Sequence, residues 1–341
     1  FSFKKPTLPR ICHKIATSQD SCAVQHKAGC GLAPTPLAHP PGHMPLMPPE
    51  EERERPRMMD WAKLPRVEGE LSFIGQEVSG IAEFFKAPES PPDHLPYETH
   101  RVPIHDLTGA VDELRLDREG FIVASFDDGA PDYDDRGQLE TVWLPRVQAL
   151  LKRETGAAHV FSWAMGRRFS PRLPPSRQTA VSTAAVMVHC DFSPCPIGLT
   201  IDNRTPDQVI AGIVGDARPR RWQAFNVWQP TSPPPHDRPL ALCDASSIGG
   251  AELCSAQGRS TYESGLTVEF ELSWAKYAPH QRWGYVRDLR PGQALIFSGL
   301  DMRAGETAGR VPHAAFVQDG VPADAPPRES VEVRNIAIWD D

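Results

Sequence analysis

The sequence predicts a mainly β protein, a barrel or sandwich with flanking helices. Three observations lead there. Short apolar segments suited to strands follow one another closely through the second half of the 341 residues, turns containing Pro or Gly separate them, and only two stretches carry an apolar stripe at helical spacing. Residues 1–60 stand apart, because eight prolines between positions 34 and 56 and a charge cluster at 50–55 leave no run able to form a helix or a ladder. A disordered Pro-rich tail is expected over 1–60, and one domain over 61–341. The tail's His13, His26, His39 and His43 are irregularly spaced and read as incidental polar residues.

From Trp61 the composition turns globular. Strands are expected at 70–74 and at 121–126, the second after the turn-like stretch 116–120. Trp143, Val147, Leu150 and Leu151 recur at helical spacing, with Pro145 in the first turn and Gly156 closing the helix. Eight strand candidates follow, at 159–165, 184–192, 224–228, 240–243, 266–274, 294–297, 314–317 and 331–339. A short helix belongs between the second and third of these. Thr205 suits its N-cap, Pro206 its first position, Val209, Ile210, Ile213 and Val214 its buried stripe, and Gly215 its end. Strict alternation over 266–274 places Glu269 and Glu271 toward water or a loop. Trp222, Trp274 and Trp283 read as core residues.

The chemistry concentrates at the end of the 184–192 strand. Residues i and i+2 of a strand share a face, so His189 and Asp191 project together while Cys190 turns away into packing. His313, at the head of another apolar run, offers a second imidazole. Two histidines and one carboxylate with positions left open form the facial triad of non-haem Fe(II) oxygenases. Further on, Arg328 and Ser330 sit two apart at the mouth of the last strand, a two-pronged guanidinium and a hydroxyl suited to the carboxylate of a dicarboxylic co-substrate. Arg334, deeper in that strand, is the rival for this role; it could instead line the substrate pocket or pair with Glu332 or an acidic neighbour. Asn226 and Trp228 share a strand face and either border the iron pocket or belong to a hydrogen-bonded, packed interior.

Composition narrows the classes. A net charge of −8 gives no electrostatic reason to expect nucleic acid or an anionic membrane as partner, and small-molecule chemistry fits better. The seven cysteines are scattered without paired C-x-x-C spacing, which indicates neither a disulfide framework nor a zinc ribbon and suggests a reducing, cytoplasmic setting. No apolar run approaches the roughly 20 residues that cross a bilayer. No phosphate-binding Gly-rich loop and no fixed-period repeat is present.

The order His-x-Asp, distant His, Arg-x-Ser resembles that of the Fe(II)/2-oxoglutarate-dependent dioxygenases. Several further stretches resemble one group among them, the fungal hydroxylase/desaturase family of secondary metabolism, to which the cephamycin 7α-methoxylase component also belongs. They include Asp117-Arg-Glu-Gly-Phe121, Arg167-Arg168, Val188-His-Cys-Asp191, Phe225-Asn-Val-Trp-Gln-Pro230, Pro239-Leu-Ala-Leu-Cys-Asp244, Pro312-His-Ala-Ala-Phe316 and Pro326-Pro-Arg-Glu-Ser-Val-Glu-Val-Arg334, so that the likeness spans about residues 70–341. The resemblance implies a double-stranded β-helix, a jelly roll of cupin-like form. It carries the iron ligands onto His189, Asp191 and His313, and the grip on the 2-oxoglutarate carboxylate onto Arg328 with Ser330 in support. With Fe(II), 2-oxoglutarate and O2, the expected reaction is hydroxylation, desaturation or ring closure of a small molecule by C–H abstraction. The family usually has Arg-Pro where this chain has Gln229-Pro230, a position expected to border the open side of the barrel. Two other readings stay open at this point: the same ligands holding Zn(II) for hydrolysis or isomerisation, and a non-enzymatic protein that holds substrate for a partner.

Overall fold

The computed structural model describes residues 59–86, 95–173, 184–193, 206–215, 221–261, 267–301, 309–318, 321–322 and 324–340. These fall within one unit, Glu54–Asp341. The tail expected over 1–60 lies outside the described residues except for its last two positions, and so does Thr205.

Strands carry most of the described chain. In order they are β1 (Arg66–Ile74), β2 (Ala82–Lys86), β3 (Tyr97–Asp106) and β4 (Phe121–Ser125), then, after a helical segment, β5 (His159–Phe169) and β6 (His189–Cys190). The helical segment starts as a single turn, α1 (Arg136–Gln138), passes through a π-turn at Leu139–Trp143 and continues as α2 (Leu144–Thr155). A second helix, α3 (Pro206–Val214), precedes β7 (Trp222–Pro230), β8 (Leu240–Cys243), β9 (Leu253–Thr261), β10 (Thr267–Ala275) and β11 (Trp283–Tyr285). The last strands are β12 (Gln293–Asp301), β13 (His313–Ala315), β14 (Val317–Gln318) and β15 (Glu329–Ile338).

Two sheets form. The larger runs β14-β1-β3-β11-β8-β13-β6-β10-β9-β2 and the smaller β4-β12-β7-β15-β5. They face each other as a double-stranded β-helix, the jelly roll expected. β7 is buried along its whole length because it lies between β12 and β15 in the smaller sheet. Its two faces have different duties. Phe225 and Val227 point outward and pack with Val331, Val333 and Ala337 against Trp143, Val147, Leu150 and Leu151 of the helix. Asn226 and Trp228 point inward.

Both helices follow the chemistry read from the sequence, with one difference. Gly156 adopts a left-handed φ of +71° and donates its N–H to the Lys152 carbonyl, closing α2 as expected. The helical run, however, begins earlier, at Arg136, where Asp135 caps it by accepting from the Gly137 and Gln138 amides at 2.8 and 3.3 Å. Pro145 sits in the first turn of α2, as expected, directly after the π-turn that joins α2 to α1. In α3, Val209 and Ile210 are buried against Phe192, Trp222, Ile336 and Ile338.

Three expectations change. The strand expected over 184–192 reduces to His189–Cys190 and a bridge between Met187 and Ser72, so Asp191 lies in the bend beyond the strand. Glu271 is half-buried, and burial raises its carboxyl above the usual range. It faces Gln257 of β9, a strand that the polar stretch 253–261 did not announce. Gln229, placed at the open side of the barrel by analogy, turns the other way. Its side chain accepts from Trp143 Nε1 at 2.7 Å and donates to Asp128, behind the smaller sheet.

A bulge at Gly299 shifts the register of β12 against β7 and lets the Phe192 ring lie where a Cβ would be. Phe192 follows Asp191 directly, so this close approach helps to seat the bend. Gly299→Ala is expected to cost about 1–3 kcal/mol of stability. Urea denaturation reads this, and an unchanged midpoint would show that the ring yields freely.

Candidate metal centre

His189 and His313 stand opposite each other on neighbouring strands, β6 and β13 being registered at that very pair. Each ring is held by the carbonyl two residues before it. His189 Nδ1 lies 2.8 Å from the Met187 carbonyl and His313 Nδ1 3.0 Å from that of Val311, so in each case Nδ1 carries the proton and Nε2 presents a lone pair. The two Nε2 atoms converge on Asp191, 3.9 Å from its Oδ1 for His189 and 3.7 Å from its Oδ2 for His313. One donor atom from each of the three residues falls within 4.8 Å of the others, the single such group found among the described residues.

The electrostatics suit a cation. Burial, followed by the charge of His313, pushes His189 down to about 4, which leaves a neutral imidazole at ordinary pH. Burial alone would raise the Asp191 carboxyl. Arg334, then His313 and His189, overcome it and hold the group below the usual carboxylate range. Two imidazole nitrogens and an ionised carboxylate suit Fe(II) and leave coordination positions open. Trp274, edge-on to His189 at 6.0 Å, and Phe297, 4.7 Å from the His313 ring, wall the site with aromatic surface.

Arg334 and Asn226 reach the same carboxylate. Arg334 Nη2 donates to Asp191 Oδ1 and Asn226 Nδ2 to Oδ2, so both residues hold Asp191 from the opposite sheet rather than standing as free pocket lining. Each oxygen keeps a second lone pair. Arg334 is thereby separated from Arg328, its rival in the sequence.

Arg328 lies at the head of β15, 2% exposed, with Nε and Nη1 buried and without a hydrogen-bond partner. Its guanidinium carbon sits 5.3 Å above the Trp228 ring, so that indole supports the arginine by a cation–π contact. Burial lowers the arginine to about 10, with Glu332 and Asp237 pulling it back, so it stays charged at neutral pH. Ser330 is fully buried on the same inward face. Between Arg328 and Arg334 in the chain, Glu332 pairs with Arg168 of β5 at 2.6 Å, a partnership that Arg167-Arg168 hinted at only as a family motif. A buried, unpaired guanidinium is costly unless something else completes it. The open Nη1, at the outer end of the guanidinium, is a fit for a carboxylate oxygen of 2-oxoglutarate, a charge-assisted contact.

Comparison with known proteins bears on this arrangement. A family model described as an oxidoreductase/YMDC permease-like domain matches residues 72–338. The Fe(II)/2-oxoglutarate-dependent dioxygenase nvfI of Aspergillus novofumigatus is 29% identical over 279 residues, 78% of this chain and 95% of that protein. The chain belongs to this family, the Fe(II)/2-oxoglutarate-dependent hydroxylase/desaturases. The hydroxylase/desaturase asaB of Aspergillus flavus is 35% identical over 130 residues, 36% of this chain and 57% of that protein. A solved structure of the iron and alpha-ketoglutarate-dependent endoperoxidase NvfI superposes with a TM-score of 0.68 at 27% identity, covering 80% of this chain and 97% of that one. Among the described residues no helix is long and apolar enough to cross a membrane. The dioxygenase uses Fe(II) and 2-oxoglutarate, and the hydrolytic and non-enzymatic readings of the sequence fall away.

Proposed function

We propose that His189, Asp191 and His313 are the iron ligands of this dioxygenase and that Arg328, assisted by Ser330, takes the far carboxylate of 2-oxoglutarate. Bound together, Fe(II) and 2-oxoglutarate supply dioxygen activation and the removal of hydrogen from an unactivated C–H bond. The residues do the positioning. His189 and His313 each keep the proton on Nδ1 through a backbone carbonyl, so neither ring has to turn or lose a proton to offer Nε2. Arg334 and Asn226 hold the Asp191 carboxylate in one orientation. Trp274 and Phe297 keep water away from the two imidazoles, and Trp228 keeps it from the arginine, which strengthens every charge interaction inside.

The observation that carries this reading is Arg328, a fully buried cation whose open Nη1 awaits a partner of opposite charge. The substrate is proposed to be a small secondary metabolite, hydroxylated, desaturated or cyclised according to which C–H the pocket brings near the metal. A reducing, cytoplasmic setting is proposed from the seven scattered cysteines, which lack the paired spacing of a disulfide framework. Neither nucleic acid nor membrane is proposed as a partner, on the strength of the acidic composition. Anaerobic titration of the Fe(II)-loaded protein with 2-oxoglutarate tests the assignment through its weak visible charge-transfer absorption. A saturable band is expected, and its absence in iron-loaded protein would overturn the reading.

A further inference from the structure

We propose that Asp237 is a positioning residue for the co-substrate grip, fixing the backbone at Arg328 and so the place its guanidinium reaches. The proposal rests on the role given above to Arg328. Asp237 lies in the loop between β7 and β8, and its side chain is 4% exposed. One oxygen, Oδ1, accepts the backbone N–H of Arg328 at 2.8 Å. The other, Oδ2, accepts from Ser170 Oγ at 2.5 Å and lies 3.7 Å from Arg172 Nη1.

These contacts close a ring around Arg328. The Ser170 amide donates to the Arg328 carbonyl at 2.8 Å, so both polar groups of that residue's main chain end on the Ser170–Asp237 unit. Arg172 Nη1 also donates to the Ala325 carbonyl at 2.9 Å, which ties down the segment leading in. On the far side, Ser232 Oγ accepts the Glu329 amide at 2.9 Å. Arg328 stands one residue before β15 begins, where the sheet ladder no longer dictates the backbone, and the Asp237 carboxylate takes over that duty. An amide in its place would turn an NH2 donor toward either the Arg328 N–H or the Ser170 hydroxyl and Arg172, so only a carboxylate accepts on both sides. A buried carboxylate brings a desolvation cost that only charged neighbours offset, and Asp237 has two arginines beside it, one of them the grip itself.

The test uses the full chain. In Fe(II)-loaded protein without oxygen, 2-oxoglutarate affinity is read from the charge-transfer band, and Co(II) affinity is measured separately without co-substrate. Asp237→Asn is expected to weaken 2-oxoglutarate about tenfold, and Ser170→Ala about threefold, with Co(II) affinity within about twofold of the parent in both. A role confined to stability would lower both affinities together and would overturn the proposal, as would co-substrate binding in Asp237→Asn equal to the parent's. If Asp237→Asn does not fold, Ser170→Ala decides, and unchanged 2-oxoglutarate affinity there counts against it. A parent that gives no band would sink the reading of Arg328 and this proposal with it; a responsive parent beside an indifferent Asp237→Asn would sink this proposal alone.

Discussion

Replacing His313 by alanine is expected to abolish tight metal binding while the fold survives. On the proposed assignment the imidazole is one of three donors, and its Nε2 is aimed by a 3.0 Å bond from Nδ1 to the Val311 carbonyl. Loss of a residue that merely supports a ligand costs about 10–100-fold in metal affinity, and loss of a donor itself is expected to exceed that. His313 is 7% exposed between the Phe297 and His189 rings, so alanine also leaves a cavity, at about 2 kcal/mol. His313→Gln keeps most of the volume and separates the two effects. Calorimetric titration with Co(II) measures the outcome. Parent-like affinity in both variants would show that another group serves as the third donor.

Arg328→Ala carries the other large effect. Two charge-assisted hydrogen bonds to a buried carboxylate are together worth about 3–6 kcal/mol, so 2-oxoglutarate affinity is expected to fall by about 100-fold or more. Metal affinity is expected to hold, because Arg328 touches none of the three donors. Arg328→Lys is expected to recover little of the loss, since an ammonium is a point charge without the planar fork and sits less well over the Trp228 indole. Titration of the Fe(II)-loaded variants gives both numbers. A Lys variant indistinguishable from the parent would mean that charge alone, without geometry, holds the co-substrate.

The elements that carry these residues were legible because the residues sit beside apolar runs, although the first of these runs pairs as a strand only at His189–Cys190. His189 and Asp191 end one such run, His313 begins another, and Arg328 with Ser330 opens a third. The order of these elements in the chain sufficed, since a jelly roll brings strand ends together. The work of Asn226 and Arg334 was not legible. Both were placed on inward-facing strands, yet their contact with Asp191 joins one sheet to the other, and no local pattern encodes which side chains meet across a barrel. Asp237 was hidden for a different reason, lying in a Pro-rich loop where neither periodicity gives a side chain a direction. Periodicity also missed β3 and β9, whose polar outward residues and interrupting Pro103 and Gly258 blur the alternation.

On the proposed assignment, the two duties of the site are divided between the sheets. His189 and His313 belong to the larger one, whereas Arg328 opens a strand of the smaller. A molecule that must reach both spans the gap, so the separation of the sheets acts as a ruler for its carbon chain. Two-oxo diacids one methylene shorter or longer than 2-oxoglutarate would meet the ruler at the wrong mark. On the same assignment, the packing of the helical segment on the back of the smaller sheet, through Trp143 of the π-turn and Gln229, becomes part of how that length is kept.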